Sequence, residues 1–175
     1  GVVYFLASPT NATQRYLYKT KLDGKGKLEM VTPEGLSGTH NYNISPTGKF
    51  AQHTFSNIYT RPVVELISLP KHKAVNEKES ITTKLPSVQE ENVTEFFKVK
   101  TEDGIEMDGW MVKPINFDPS KKYPVVFYVY TEPWGANVTD SYGASQNWLY
   151  SGDMREDGYI YISIDNRGTP VPKGR

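Results

Sequence analysis

Tyr130 is the residue best placed for chemistry. It closes the apolar run Val125-Val126-Phe127-Tyr128-Val129 and is followed two positions later by Glu132. A phenol fixed at the end of a rigid strand is a preorganised hydrogen-bond donor, suited to oxygen charge that develops in a transition state. Ser145 is the nearest approach to a nucleophile, in Gly143-Ala144-Ser145-Gln146-Asn147. That string lacks the second glycine of a G-x-S-x-G elbow, and Ala136–Tyr142 before it is too polar for the strand such an elbow needs. Ser145 is therefore not expected to attack a substrate. Asp165 and Arg167, in Asp165-Asn166-Arg167-Gly168, fall where a strand gives way to a turn. A salt bridge or a side-chain-to-backbone turn that fixes the loop is the expected role. His40, His53 and His72 invite a metal or triad reading, but none has a helical i,i+4 partner or an acid at ligand spacing. They are expected as turn, edge and linker residues, with no metal and no cofactor bound.

The elements that must position these residues differ between the two halves of the chain. From Gly1 to about Leu69, short alternating segments such as Arg15–Leu22 are separated by turn residues. Asp23–Lys27 reads as a hairpin loop, and Ser45-Pro46-Thr47-Gly48 as a turn with Pro preset for its first central position and Gly free to take positive φ. Strands at this spacing predict a sandwich, barrel or propeller. Lys71–Glu91 is polar and weakly periodic, a linker or an edge hairpin. From Val93 onward, Thr94–Lys100 and Ile105–Pro114 predict two antiparallel strands joined at Asp103-Gly104. Val125–Tyr130 and Tyr159–Asp165 are apolar throughout, as strands buried on both faces are. Asp140 or Ser141 is expected to cap a helix over Gly143–Asp157 that stops at Gly158. Strand, helix, strand makes a βαβ unit in a parallel sheet. Each large apolar side chain of Val125–Val129 gains about 1.5–3 kcal/mol on full burial, and two or three parallel strands cannot supply it alone. The sequence thus reads as the junction of an all-β domain and the start of an α/β domain.

Composition excludes several classes of function. Twenty basic and twenty acidic residues give zero formal net charge, so there is no electrostatic footprint for nucleic acid. With no cysteine there is no disulfide framework, thiolate metal site or thiol nucleophile. No apolar run approaches the roughly 18 residues of a membrane span, and the N-terminal Gly1–Thr10 has no basic leader region. Twelve tyrosines and twelve prolines favour strands and turns over helices.

Met107–Pro133 followed by Tyr161–Pro170 resembles the opening of the catalytic domain in the prolyl oligopeptidase family of serine peptidases. There an apolar strand ends V-Y-G-G-P, and a later strand ends D-x-R-G. Upstream, Tyr16–Gly24, Val31–Gly35, Gly38–Phe50 and Arg61–Leu69 are similar to the last blades of that family's β-propeller, most of all in the dipeptidyl peptidase IV branch. The resemblance implies a mixed, mostly β fold: residues 1–88 as C-terminal propeller blades plus linker, and 89–175 as the N-terminal portion of an α/β-hydrolase domain. It implies a parent that releases N-terminal dipeptides, with proline preferred at the penultimate position, through an acyl-enzyme. Tyr130 would be the oxyanion donor. Thr131 and Glu132 depart from the family's small residues, and Glu132 and Trp134 become candidates for the substrate pocket. The catalytic serine, acid and histidine are expected beyond this chain, leaving it inactive alone. The alternative is a non-catalytic interaction protein that keeps the fold without a triad. The resemblance further implies an X-Pro peptide partner, a homodimeric parent and a periplasmic or extracellular setting. Unpaired strand edges are expected to make the fragment self-associate.

Overall fold

The computed structural model describes residues 1–83, 93–130, 132, 135–146 and 150–169. The chain divides into two compact units, Gly1–Gln89 with Asp140–Tyr142, and Glu90–Thr139 with Gly143–Arg175. It is almost entirely β, with one three-residue 3-10 turn at Glu77–Glu79 as the only regular helical element among the described residues.

The first unit holds two antiparallel sheets. One pairs β1 (Val2–Ala7), β2 (Tyr16–Lys21) and β3 (Glu29–Met30) in chain order. The other runs β4 (Thr39–Ile44), β5 (Phe50–Asn57), β6 (Thr60–Ser68) and β7 (Lys73–Ala74), again in chain order. Such meanders follow from two-residue side-chain alternation and tight turns. In β5, Ala51, His53 and Phe55 face inward while Phe50 and Gln52 face out. Gly48 takes φ +66° and its N–H closes the turn onto the Ser45 carbonyl at 2.8 Å. Leu36, Phe55 and Ile81 form the apolar core, with Val63 packed against it. This architecture is that of successive propeller blades.

The second unit is one mixed sheet in the order β10-β11-β9-β8, built from β8 (Thr94–Lys100), β9 (Glu106–Val112), β10 (Val125–Tyr128) and β11 (Ile160–Ile164). The β8–β9 hairpin turns at Gly104, φ +86°, as the Asp-Gly pair predicts. β10 and β11 are parallel, Val125 opposite Ile160 and Tyr128 opposite Ser163. Trp110, Val138, Met154 and Tyr161 make the core, joined by Val126 and Tyr128 from β10.

Two expectations are corrected here. β10 is not buried on both faces: Val125, Phe127 and Val129 are 45%, 57% and 66% exposed. β10 is an edge strand, and among the described residues only its Val126 and Tyr128 side has a core to meet. Nor do the described residues of the expected 143–157 helix, 143–146 and 150–157, form one. Asp140, nominated as its cap, instead accepts Ile58 N–H at 2.9 Å and the Gln14 amide at 2.9 Å, so tertiary bonds take the carboxylate that a helix would have used. What survives is one turn, where Asp157 N–H reaches the Asp153 carbonyl and Tyr159 N–H the Met154 carbonyl across Gly158 at φ +79°.

Candidate functional site

Tyr130 lies two residues past the end of β10, on the C-terminal side of the parallel pair, where open α/β sheets place their ligands. Its phenol donates to Glu132 Oε2 at 3.0 Å. That hydrogen bond and the carboxylate charge raise the Tyr130 pKa above its ordinary value of 10.0. The side chain is 43% exposed, open to an incoming group. Gly135 lies against the ring: its N–H bonds to the Glu132 carbonyl at 3.1 Å, and a Cβ there would overlap the Tyr130 ring. Only glycine permits that approach without moving the ring.

The loop behind Tyr130 is pinned by Asp165. Its carboxylate is buried and accepts Asn137 N–H at 2.8 Å and Val138 N–H at 3.2 Å. The Trp110 indole N–H binds the Asn137 carbonyl at 3.1 Å, and Asn137 reaches back to the Tyr130 carbonyl at 3.4 Å. Ser163, in β11, donates to the Tyr128 carbonyl at 2.9 Å. Tyr130 is thus carried by a loop fixed at both ends to the same sheet. Arg167 sits away from this constellation in an exposed ion pair with Asp103 at 2.6 Å. Trp134 and Thr131 lie outside the described residues. Ser145 exchanges a hydrogen bond with Thr94 at 2.6 Å, and the second unit's sequence contains no histidine to activate it.

The histidines, expected at turns, edges and in a linker, form a buried cluster in the first unit. His40 and His53 are fully buried on β4 and β5, and His72 is buried in a turn at φ +52°. His40 Nδ1 meets His53 Nε2 at 2.8 Å, His53 Nδ1 meets Glu65 Oε1 at 2.8 Å, and Tyr42 bonds His72 Nε2 at 2.9 Å. Burial drives both His40 and His72 down to about 4. Burial pushes Glu65 upward, but hydrogen bonds from His53 and Ile81 outweigh it and leave the carboxyl below its usual value. Donor atoms of His53, Glu65 and His72 all lie within 4.8 Å of one another. They do not form a metal centre as they stand. Two ligands about 2.0–2.1 Å from a tetrahedral ion stay about 3.3 Å apart, whereas His53 and Glu65 are in direct contact at 2.8 Å. The signal for this cluster was strand register, not linear spacing: Tyr42 pairs with His53, and His53 with Glu65, across β4, β5 and β6.

The chain resembles known proteins along nearly its whole length. The chain matches no protein-family model. It is 29% identical over 180 residues to a probable dipeptidyl-aminopeptidase B of Coccidioides posadasii, covering 97% of this chain and 18% of that protein. It is 28% identical over 181 residues to dipeptidyl-aminopeptidase B of Aspergillus niger, with the same coverage of 97% and 18%. The crystal structure of Porphyromonas gingivalis dipeptidyl peptidase 4 superposes with a TM-score of 0.74 at 25% identity, over 98% of this chain and 24% of that one. The chain therefore spans 18% of the length of the curated relatives it matches. Sequence and fold alike are similar to dipeptidyl peptidases, as the resemblance to the dipeptidyl peptidase IV branch of the prolyl oligopeptidase family implied.

Proposed function

We propose that this chain is part of a dipeptidyl-peptidase-IV-like serine exopeptidase, with residues 1–88 as the last propeller blades plus linker and 89–175 as the start of the hydrolase domain. The parent releases N-terminal dipeptides, preferring proline at the penultimate position, through an acyl-enzyme. Within this reading Tyr130 holds the oxyanion together with a backbone N–H, and Glu132 and Trp134 border the substrate. The observation that carries it is the placement of Tyr130 past the C-terminal end of a parallel strand, on a loop anchored by Asp165. In the full-length protein, Tyr130→Phe should lower kcat by about 10²–10³-fold, the usual cost of one oxyanion donor, with KM for a Gly-Pro anilide little changed. An unchanged kcat removes Tyr130 from the reaction. The 175-residue chain alone should neither hydrolyse that anilide nor react with a fluorophosphonate; stoichiometric labelling would refute the assignment of the nucleophile elsewhere.

One observation favours a second reading, a non-catalytic interaction protein with the same folds. Glu132 occupies the Tyr130 hydroxyl, and a carboxylate there opposes developing negative charge. A full-length protein that binds X-Pro peptides or protein partners but shows no labelling by fluorophosphonate would select this alternative.

A further inference from the structure

The buried cluster of the first unit has a hydrogen-bond chain whose proton count can be read from acceptors at both ends. At one end His40 Nε2 faces the Leu36 carbonyl at 2.8 Å. A carbonyl only accepts, so that nitrogen carries hydrogen. At the other end Glu65 Oε2 accepts the Ile81 N–H at 3.1 Å. Between them lie two more contacts, His40 Nδ1 to His53 Nε2 and His53 Nδ1 to Glu65 Oε1, each 2.8 Å. Each of the three side-chain contacts needs one hydrogen. Two neutral imidazoles and a carboxylate supply only two. A contact without its hydrogen would press two lone pairs together at hydrogen-bond distance, with no water to relieve them, because His40 and His53 are fully buried and Glu65 is buried too.

We propose that the core of the first unit is built around one bound proton, held between His53 and Glu65, without which the chain from Leu36 to Ile81 cannot close. The hydrogen bonds that hold the Glu65 carboxyl below its usual value favour the carboxylate, so the shared proton lies toward the imidazole; the pair is neutral overall and all three contacts are made. Placing it on His40 would also complete the count, but burial keeps that ring neutral near pH 7. The surroundings suit a partial positive charge on His53. The Tyr42 ring stacks over it at 4.6 Å and 9°, and the His72 ring meets it edge-on at 4.7 Å. The titratable groups facing the pair are His40 and Tyr42 from β4, His72 from the turn after β6, and Tyr16 of β2 beyond His40. His72 needs no extra proton. Tyr42 donates to its Nε2 while receiving from Thr32 at 2.9 Å.

The proton makes a prediction about alkaline pH that neutral packing does not. Above the range in which free histidine titrates, about 6.5, the native protein holds one proton more than the unfolded chain. Its unfolding constant should therefore rise tenfold per pH unit. Glu65→Gln removes the requirement, because the amide donates to a neutral His53 and its oxygen still accepts from Ile81. The test compares urea unfolding of the 175-residue chain and its Glu65→Gln variant from pH 7 to pH 9. The parent slope should exceed the variant's by one proton, and equal slopes overturn the proposal. If the variant does not fold, histidine ¹⁵N and glutamate ¹³C NMR of the parent at pH 7.5 decides. A doubly protonated His53, or a protonated Glu65 carboxyl, supports the shared proton. A neutral His53 beside an ionised Glu65 refutes it.

Discussion

Tyr130 and Glu132 form a couple whose hydrogen bond decides what the phenol can do. Glu132 raises the Tyr130 pKa, so Glu132→Gln should bring the phenol back toward its ordinary 10.0, read from the ¹³Cζ resonance of Tyr130 against pH. No shift would mean that the two side chains part in solution. If Tyr130 serves an oxyanion, the same change in the full-length protein should raise kcat, because the competing acceptor is weakened. Asp165 carries more of the architecture. It holds two backbone N–H groups in a buried place, and Asp165→Ala should cost about 2–3 kcal/mol in urea unfolding. His40 and His72 set the acid limit. Each is depressed from 6.5 to about 4 by burial, so the unfolded chain binds more protons between those values. Their contribution to stability is complete above pH 6.5 and is lost as pH drops toward 4, by at most about 3 kcal/mol per histidine. Neither histidine was legible from linear spacing. Tyr42 and His53 are equidistant from the Pro46–Lys49 turn, and only that register, carried on to Glu65 across β6, brings the cluster together.

At the scale of elements, the hairpins were legible because their turns are chemically specified. Gly48 and Gly104 sit at positive φ where the sequence places them, and alternation then fixes which side chains face inward. The 140–158 segment was legible only at its end. Gly158 closes a helical turn as a C′ glycine does, but Asp140 is claimed by Ile58 and Gln14, contacts far away in sequence. The apolar run of β10 was read correctly as parallel to β11 and incorrectly as buried twice, because hydrophobicity reports what a strand can cover and not which cover is present. A different element tests how tightly the second sheet is built. In β9, Gly109 faces Phe97 of β8, and a Cβ there would lie 2.4 Å from the Phe97 ring. Gly109→Ala should destabilise by about 1–3 kcal/mol through overpacking, and the Gly109→Ala, Phe97→Leu double variant should recover part of that loss. Additive costs in the two single variants would show that the ring turns aside freely.

At the scale of the molecule, the exposed face of β10 and the charge balance act together. Val125, Phe127 and Val129 present a continuous apolar strip on an edge strand, and the chain's formal net charge is zero. Like-charge repulsion, which keeps many exposed edges apart, is missing near neutral pH. We propose that copies of the chain associate through this strip, pairing along the free edge of β10. Size-exclusion chromatography with light scattering should then show a mass that climbs with protein concentration and with added sulfate, which strengthens apolar burial. Phe127→Lys puts a charge in the middle of the strip without touching Val126 or Tyr128, the β10 residues that pack on the core. It should shift the chain toward monomer while leaving its unfolding midpoint nearly unchanged. A parent chain that stays monomeric at every concentration, or a lysine variant that associates as before, locates any attraction elsewhere on the surface and leaves the β10 edge without a role in assembly.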